Sequence, residues 1–340
     1  MRNLFDPRPK SSRSELFDRV DELEILDKSI GKPLIVVLGI RRIGKTSLVK
    51  SFLEPYNGVY VDLRGVVTHV DLYERLSEGL SSGLNKLRRV IEGIRGIKIM
   101  GFGVEIKWRG TDSISLLGFL EELNRRGQFI VVLDEVQDTR PPVSAELRRV
   151  LAYTYDHLSN ITVILSGSEV RLLSDFMGIN NPESSLYGRY FVEVDVRRFT
   201  RDESLDFLRL GFKQEGVEPP VDVLEDAVEF FDGIPGWLVQ FGRSYIDGGV
   251  RDIGAIKEQA ISMALSELLR LSQRERMVLR AIAEGAKTWG GQVRRFVEER
   301  LGVSIPKSSL TRIINKLESL SIIKDYEFLD GIYREAAKRL

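Results

Sequence analysis

Apolar residues recur along the chain with two different periods, and the change between them divides it. Phe17, Val20, Leu23, Leu26 and Ile30 fall three and four apart, the spacing of a helix with one buried face. Short apolar runs follow at Leu34–Leu38, Phe129–Leu133 and Ile161–Leu165, with further strand patterns at Gly58–Leu63 and Tyr190–Val196. Helical spacing separates them, after Lys45 and over 70–90, 113–126 and 143–157. Strands nearly continuous in β-branched residues, alternating with helices, predict a parallel sheet covered on both faces. Residues 93–110 alternate and are punctuated by glycine, which predicts an inserted β-hairpin. From Arg201 the pattern is helical only, over 201–215, 221–232, 236–247 and 252–270. From Leu271 it reads helix, helix (Trp289–Leu301), helix (capped from Ser304), then a hairpin over Ile322–Phe328 and Ile332–Tyr333. Residues 1–15 are polar, basic and Pro-containing, the pattern of a loose arm. The expected division is therefore arm 1–15, α/β core 16–198, helical segment 199–270 and C-terminal module 271–340.

Composition removes several chemistries. The 340 residues include no Cys and two His, which excludes disulfides, Cys-ligated metals and thiol nucleophiles and leaves little room for a histidine relay. A net charge of zero argues against a nucleic-acid-binding coat over the whole surface. The N-terminus lacks the apolar stretch of a signal peptide, and the apolar runs are too short to cross a bilayer. A cytoplasmic protein with no membrane partner is expected.

The loop after the first strand carries the first specific chemistry. Gly39, Ile40, Arg41, Arg42, Ile43, Gly44, Lys45 and Thr46 match G-x-x-x-x-G-K-[ST] between a strand and a helix, with Ser47 next. Backbone amides of such a loop and the following helix N-terminus face phosphates. Lys45 would neutralise β- and γ-phosphate charge, and Thr46 would place its hydroxyl on Mg²⁺. Arg41 and Arg42 read as surface or sheet-edge charges, with direct phosphate contact as the alternative. The third apolar run ends in Asp134 and Glu135, the Walker B pattern. Asp134 would hold Mg²⁺ through water, and Glu135 would deprotonate the attacking water. Ser166, then Ser168, are candidates to meet the γ-phosphate at the end of the next strand. Arg189, before the fifth strand, is a candidate arginine finger in its own site or a neighbour's, or else a surface ion pair. No N/T-K-x-D guanine motif follows, so ATP and ADP are the expected nucleotides.

These residues together resemble the AAA+ ATPases. Within them the closest match is the archaeal ATPase family allied to the STAND signalling NTPases and the archaeal origin initiators. The likeness rests on Phe17-Asp-Arg19…Glu22-Leu, GIRRIGKTSL, VVLDEVQ, LSGSEV, YGR, RRFTRDES, GIPG and a terminal winged helix. It implies a five-stranded sheet of order 5-1-4-3-2, a helical lid, and adenine held between core and lid. By family position Arg19 belongs to the segment meeting the adenine side, and Pro235 to a lid element near the nucleotide. Pro235 also reads simply as a helix start between two turn glycines. The usual lid arginine is missing: Arg243 lies two turns into its helix, which puts γ-phosphate sensing by the lid in doubt.

The C-terminal module is similar to winged-helix domains, whose third helix enters the DNA major groove. Its exposed face would offer Lys307, Ser309, Arg312 and Lys316 to double-stranded DNA. Residues 271–340 hold 14 Lys/Arg against 9 Asp/Glu, so a basic module is hidden inside a neutral chain. The function expected is an ATP-binding, ATP-hydrolysing switch whose nucleotide state repositions the winged helix. The alternative is a nucleotide-gated signalling or self-associating scaffold whose winged helix contacts protein. The 93–110 hairpin reads as sheet-edge decoration, with a DNA or subunit contact as the other option.

Overall fold

A computed structural model describes residues 3–168, 170–178, 181–248, 252–287, 291–302 and 305–340. Helix α1 (Val20–Lys28) leads to β1 (Leu34–Leu38), then α2 (Lys45–Leu53) and β2 (Gly58–Asp62). The single helix expected over 70–90 is two, α3 (His69–Ser82) and α4 (Leu84–Ile91), broken at Gly83. Then come the hairpin β3 (Ile97–Met100) and β4 (Gly103–Ile106), α5 (Leu116–Arg125), β5 (Phe129–Asp134), α6 (Val143–His157), β6 (Ile161–Gly167), α7 (Val170–Met177) and β7 (Val192–Asp195). The sheet runs β2-β5-β6-β1-β7 with every pair parallel. Counted without the hairpin, that is 5-1-4-3-2, as expected. Every residue of β1, β5 and β6 is buried, because helices cover both faces. Alternate residues serve opposite cores: Leu34, Val36 and Leu38 face one, Ile35 and Val37 the other.

The lid holds α8 (Arg201–Gln214), α9 (Val221–Phe231), α10 (Pro235–Asp247) and α11 (Ile253–Leu268). The winged helix holds α12 (Gln273–Ala283), α13 (Gln292–Leu301), α14 (Lys307–Ser319), the wing β8 (Ile323–Lys324) with β9 (Glu327–Phe328), and α15 (Gly331–Ala337). Trp289 and Ser304, expected at helix starts, lie outside the described residues. Ile332 and Tyr333, read as wing, stand in α15 instead. Asp330 caps that helix by accepting the Ile332 amide at 2.8 Å. Lid and winged helix are not separate cores. One apolar cluster runs from Trp237 and Phe241 through Ala260 and Ala264 to Val278, Ile332 and Ala336.

The arm expected to be loose is packed. Phe5 is fully buried, with its ring 4.9 Å from Phe212 and 5.9 Å from Phe207. Its seat is made by Gly211 and Gly242, where any Cβ would overlap the ring. Leu4 N donates to Gln214 Oε1 at 2.8 Å in the lid, and Lys10 N to Ser47 Oγ at 3.1 Å in the core. The hairpin decorates α3: Val104 N and Ile106 N donate to the Ser81 and Ser77 hydroxyls at 2.8 and 3.2 Å. Trp108 stacks on Tyr73 at 5.2 Å. Among the described residues, no helix is long and apolar enough to cross a membrane.

Candidate active site

The phosphate loop joins the C-terminal end of β1 to the N-terminus of α2, where a parallel sheet opens its binding crevice. Gly39 and Gly44 have φ of 153° and 102°, and a Cβ on Gly39 would lie 2.9 Å from the Ile43 side chain. Ile43 anchors the loop in the core with 1% exposure. Lys45 opens α2, and its Nζ donates to Gly39 O at 2.8 Å and Ile40 O at 3.0 Å. Burial pushes Lys45 down to about 8, against the opposing pull of Glu135 and Asp134.

Asp134 ends β5, opposite Asp62 and Ser166 in register, and is 1% exposed. It accepts three hydrogen bonds: from Thr46 Oγ1 at 2.9 Å, Tyr60 OH at 2.6 Å and Ser166 Oγ at 2.5 Å. A hydroxyl beside a carboxylate is the donor set a hard cation takes, so Thr46 and Asp134 fit Mg²⁺. Burial, then Asp134, raises the Tyr60 phenol above its ordinary value. Glu135 turns out of the strand at φ 53°. Its Oε2 accepts from Gln137 Nε2 at 2.5 Å and from both Ser168 N and Ser168 Oγ at 3.0 Å. Ser166 is wholly buried behind Asp134, while Ser168 reaches the cavity.

The cavity of about 630 Å³ is walled by the phosphate loop, Glu135 and Ser168 on one side and by Pro235, Val239 and Gln240 of the lid on the other. Phe17, Phe199 and Pro7 of the packed arm close it. Pro235 satisfies both of its readings, since it begins α10 and lines the cavity. Arg19 also lines the cavity but is 3% exposed. It donates to Glu22 Oε1 at 3.1 Å, Arg197 O at 2.8 Å and Ile43 O at 3.0 Å, with Phe199 beneath it at 4.6 Å. It is a strut under the loop. Arg41 and Arg42 reach Glu267 of the lid at 3.4 and 2.5 Å; Arg41 remains an exposed surface charge, while Arg42 is half-buried. Arg243 lines the cavity yet is held by Glu215 and Asp247 at 2.9 and 2.6 Å.

Arg189 is not brought to this site. It pairs with Asp156 at 2.7 Å and does not line the cavity. On α14, Lys307, Thr311 and Arg312 are exposed and Ser309 is half-buried. Lys316 Nζ lies 2.7 Å from Glu275 Oε1, which burial and this ion pair place inside the module. Tyr60 and Gln137 were missed from sequence. Tyr60 had a signal, since it lies beside β5 in the sheet register, two residues before the strand end that carries Asp134.

Residues 16–241 match the family model described as an ATPase domain predominantly from Archaea. Residues 271–335 match the MCM protein C-terminal winged helix-turn-helix domain. No curated protein matches the chain. The Walker-type ATPase PABY2304 of Pyrococcus abyssi is 34% identical, with a TM-score of 0.85 over 98% of this chain and 99% of that one. The ORC2 protein of Aeropyrum pernix, solved as ADPNP and ADP complexes, has a TM-score of 0.60 at 18% identity over 99% and 96% of the two chains. That second likeness is one of fold. With its phosphate loop, acidic strand end, lid and terminal winged helix, the chain belongs to this predominantly archaeal family of ATPase domains.

Proposed function

We propose that the chain binds ATP with Mg²⁺ in this cavity, hydrolyses it, and uses the exchange to move the lid and winged helix together. The observation that carries the reading is the convergence of Lys45, Thr46, Asp134 and Glu135 at one cavity between core and lid. Thr46 and Asp134 would hold Mg²⁺, which when bound offsets charge on the β- and γ-phosphates. Lys45 transfers its hydrogen bonds from the loop's own carbonyls to phosphate oxygens. Glu135 leaves Ser168 and accepts a proton from the water that attacks the γ-phosphorus. The new O–P bond forms as the β–γ bridging O–P bond breaks, giving ADP and phosphate. Ser168, with its amide and hydroxyl at the same spot, orients that water. Arg189 lies outside this cavity, so any part it takes requires a second copy of the chain.

Because lid and winged helix share one core, movement of either moves both. The α14 face of Lys307, Thr311 and Arg312 would then be presented to DNA. A second reading has its own observation: α14 lies against α7 of the core, as in a module that contacts protein. The test is direct. Phosphate release from ATP is measured with and without duplex DNA, alongside nucleotide affinity. Glu135→Gln should keep the affinity and lose about a hundredfold or more in rate. Lys45→Ala should weaken binding by about tenfold to a hundredfold. A chain with no ATP affinity and no phosphate release overturns the reading.

A further inference from the structure

Arg42 sits in the middle of the phosphate loop, but both of its terminal nitrogens are committed to other parts of the chain. Nη2 donates to Glu267 Oε1 of α11 at 2.5 Å, and Nη1 to the Tyr333 hydroxyl of α15 at 3.0 Å. The Tyr333 hydroxyl in turn donates to Glu267. The guanidinium lies 4.1 Å from the ring centre of Trp237 in α10. The Trp237 indole N–H donates to Asp330, the cap of α15, at 2.8 Å. One side chain of the phosphate loop therefore meets two lid helices and the last helix of the winged helix.

The backbone makes the same junction. Arg42 O accepts the Gly236 N–H of α10 at 2.9 Å. A Cβ on Gly236 would lie 2.7 Å from Arg42 Cβ, so only glycine permits this approach. Arg42 itself holds φ 63°, a sparsely populated conformation for a residue with a side chain. Such a contact is over-determined from both sides and transmits movement instead of absorbing it.

We propose that Arg42 is the positioning residue through which phosphate occupancy sets the placement of the lid and winged helix. The inference rests on nucleotide binding as read above. Lys45 Nζ holds Gly39 O and Ile40 O. Phosphate takes those hydrogen bonds and frees the stretch of loop that ends at Arg42. A second cavity, about 420 Å³, borders Ile40, Arg41, Ile322 and Tyr333 and gives that stretch room to shift. The fork of the guanidinium then carries Glu267 and Tyr333 with it, and the shared core carries the rest.

The test follows amide hydrogen exchange over residues 331–337 in the full chain, empty and with ADP or a slowly hydrolysed ATP analogue. Nucleotide affinity is measured on the same samples. Wild type should change exchange there by about tenfold or more on binding. Tyr333→Phe, outside the nucleotide cavity, should bind nucleotide as wild type does and lose most of that change. Arg42→Lys, a point charge without the fork, should not restore it. Wild-type failure to bind nucleotide sinks the functional reading and this inference together. Normal binding with an undiminished response in both variants sinks the inference alone.

Discussion

At the scale of the residue, the site is organised by what Asp134 accepts. Three hydroxyls converge on one buried carboxylate, and only Thr46 among them belongs to the phosphate-loop pattern. Tyr60→Phe removes one donor and leaves the charge. In the empty protein this should cost about 1–3 kcal/mol of stability, seen as a lower Tm. Mg²⁺ bound with nucleotide, as proposed, would supply positive charge where the phenol supplied a proton, so the ligand-induced rise in Tm should exceed that of wild type. An equal rise in both would show that Tyr60 does not compete with the cation. Lys45, Thr46, Asp134 and Glu135 were legible because their chemistry is local to a strand end and the next turn. The partners of Arg19 and Arg189 were not. Arg19 donates to the carbonyls of Arg197 and Ile43, and Arg189 to Asp156, contacts that tertiary folding makes. The two serines differ in where the strand stops, since Ser166 pairs with Asp134 in register inside β6 and Ser168 lies beyond its end.

At the scale of the element, continuous apolar runs made the five core strands readable, because a strand buried on both faces has no polar position to spare. The N-terminal arm defeated the same reasoning. Its composition is that of a disordered tail, but Phe5 is seated by two glycines that stand about 200 residues away in sequence. A glycine in the middle of a helix looks like a weakness until the ring that replaces its side chain is known. Phe5→Ala should destabilise the lid by about 3–5 kcal/mol, read by denaturant unfolding. It should also weaken nucleotide binding, since Pro7, next to that anchor, lines the cavity. An arm that were only a tail would leave both measurements unchanged. The terminal helix was misread for a related reason. Ile332 and Tyr333 resemble a short strand, while their helix is set by the cap at Asp330, which also holds Trp237 of the lid.

At the scale of the whole molecule, zero net charge coexists with five surplus positive charges in the last 70 residues, 14 Lys/Arg against 9 Asp/Glu. Structure divides those charges further. Lys307, Arg312 and Lys316 all stand exposed on α14, but Lys316 pairs with the buried Glu275, the residue that also closes the cap of α12. If α14 meets DNA, the three should behave differently. Lys307→Ala and Arg312→Ala should each weaken duplex binding and lower the slope of log affinity against log salt by about one. Lys316→Ala should change that slope least and instead lower the unfolding midpoint, because a buried carboxylate loses its partner. Adding ATP should alter the affinity of wild type, since the lid and winged helix share one apolar core. Equal slopes in wild type and both exposed-face variants would remove DNA from the reading. They would leave α14 as the surface that lies against α7 and meets protein.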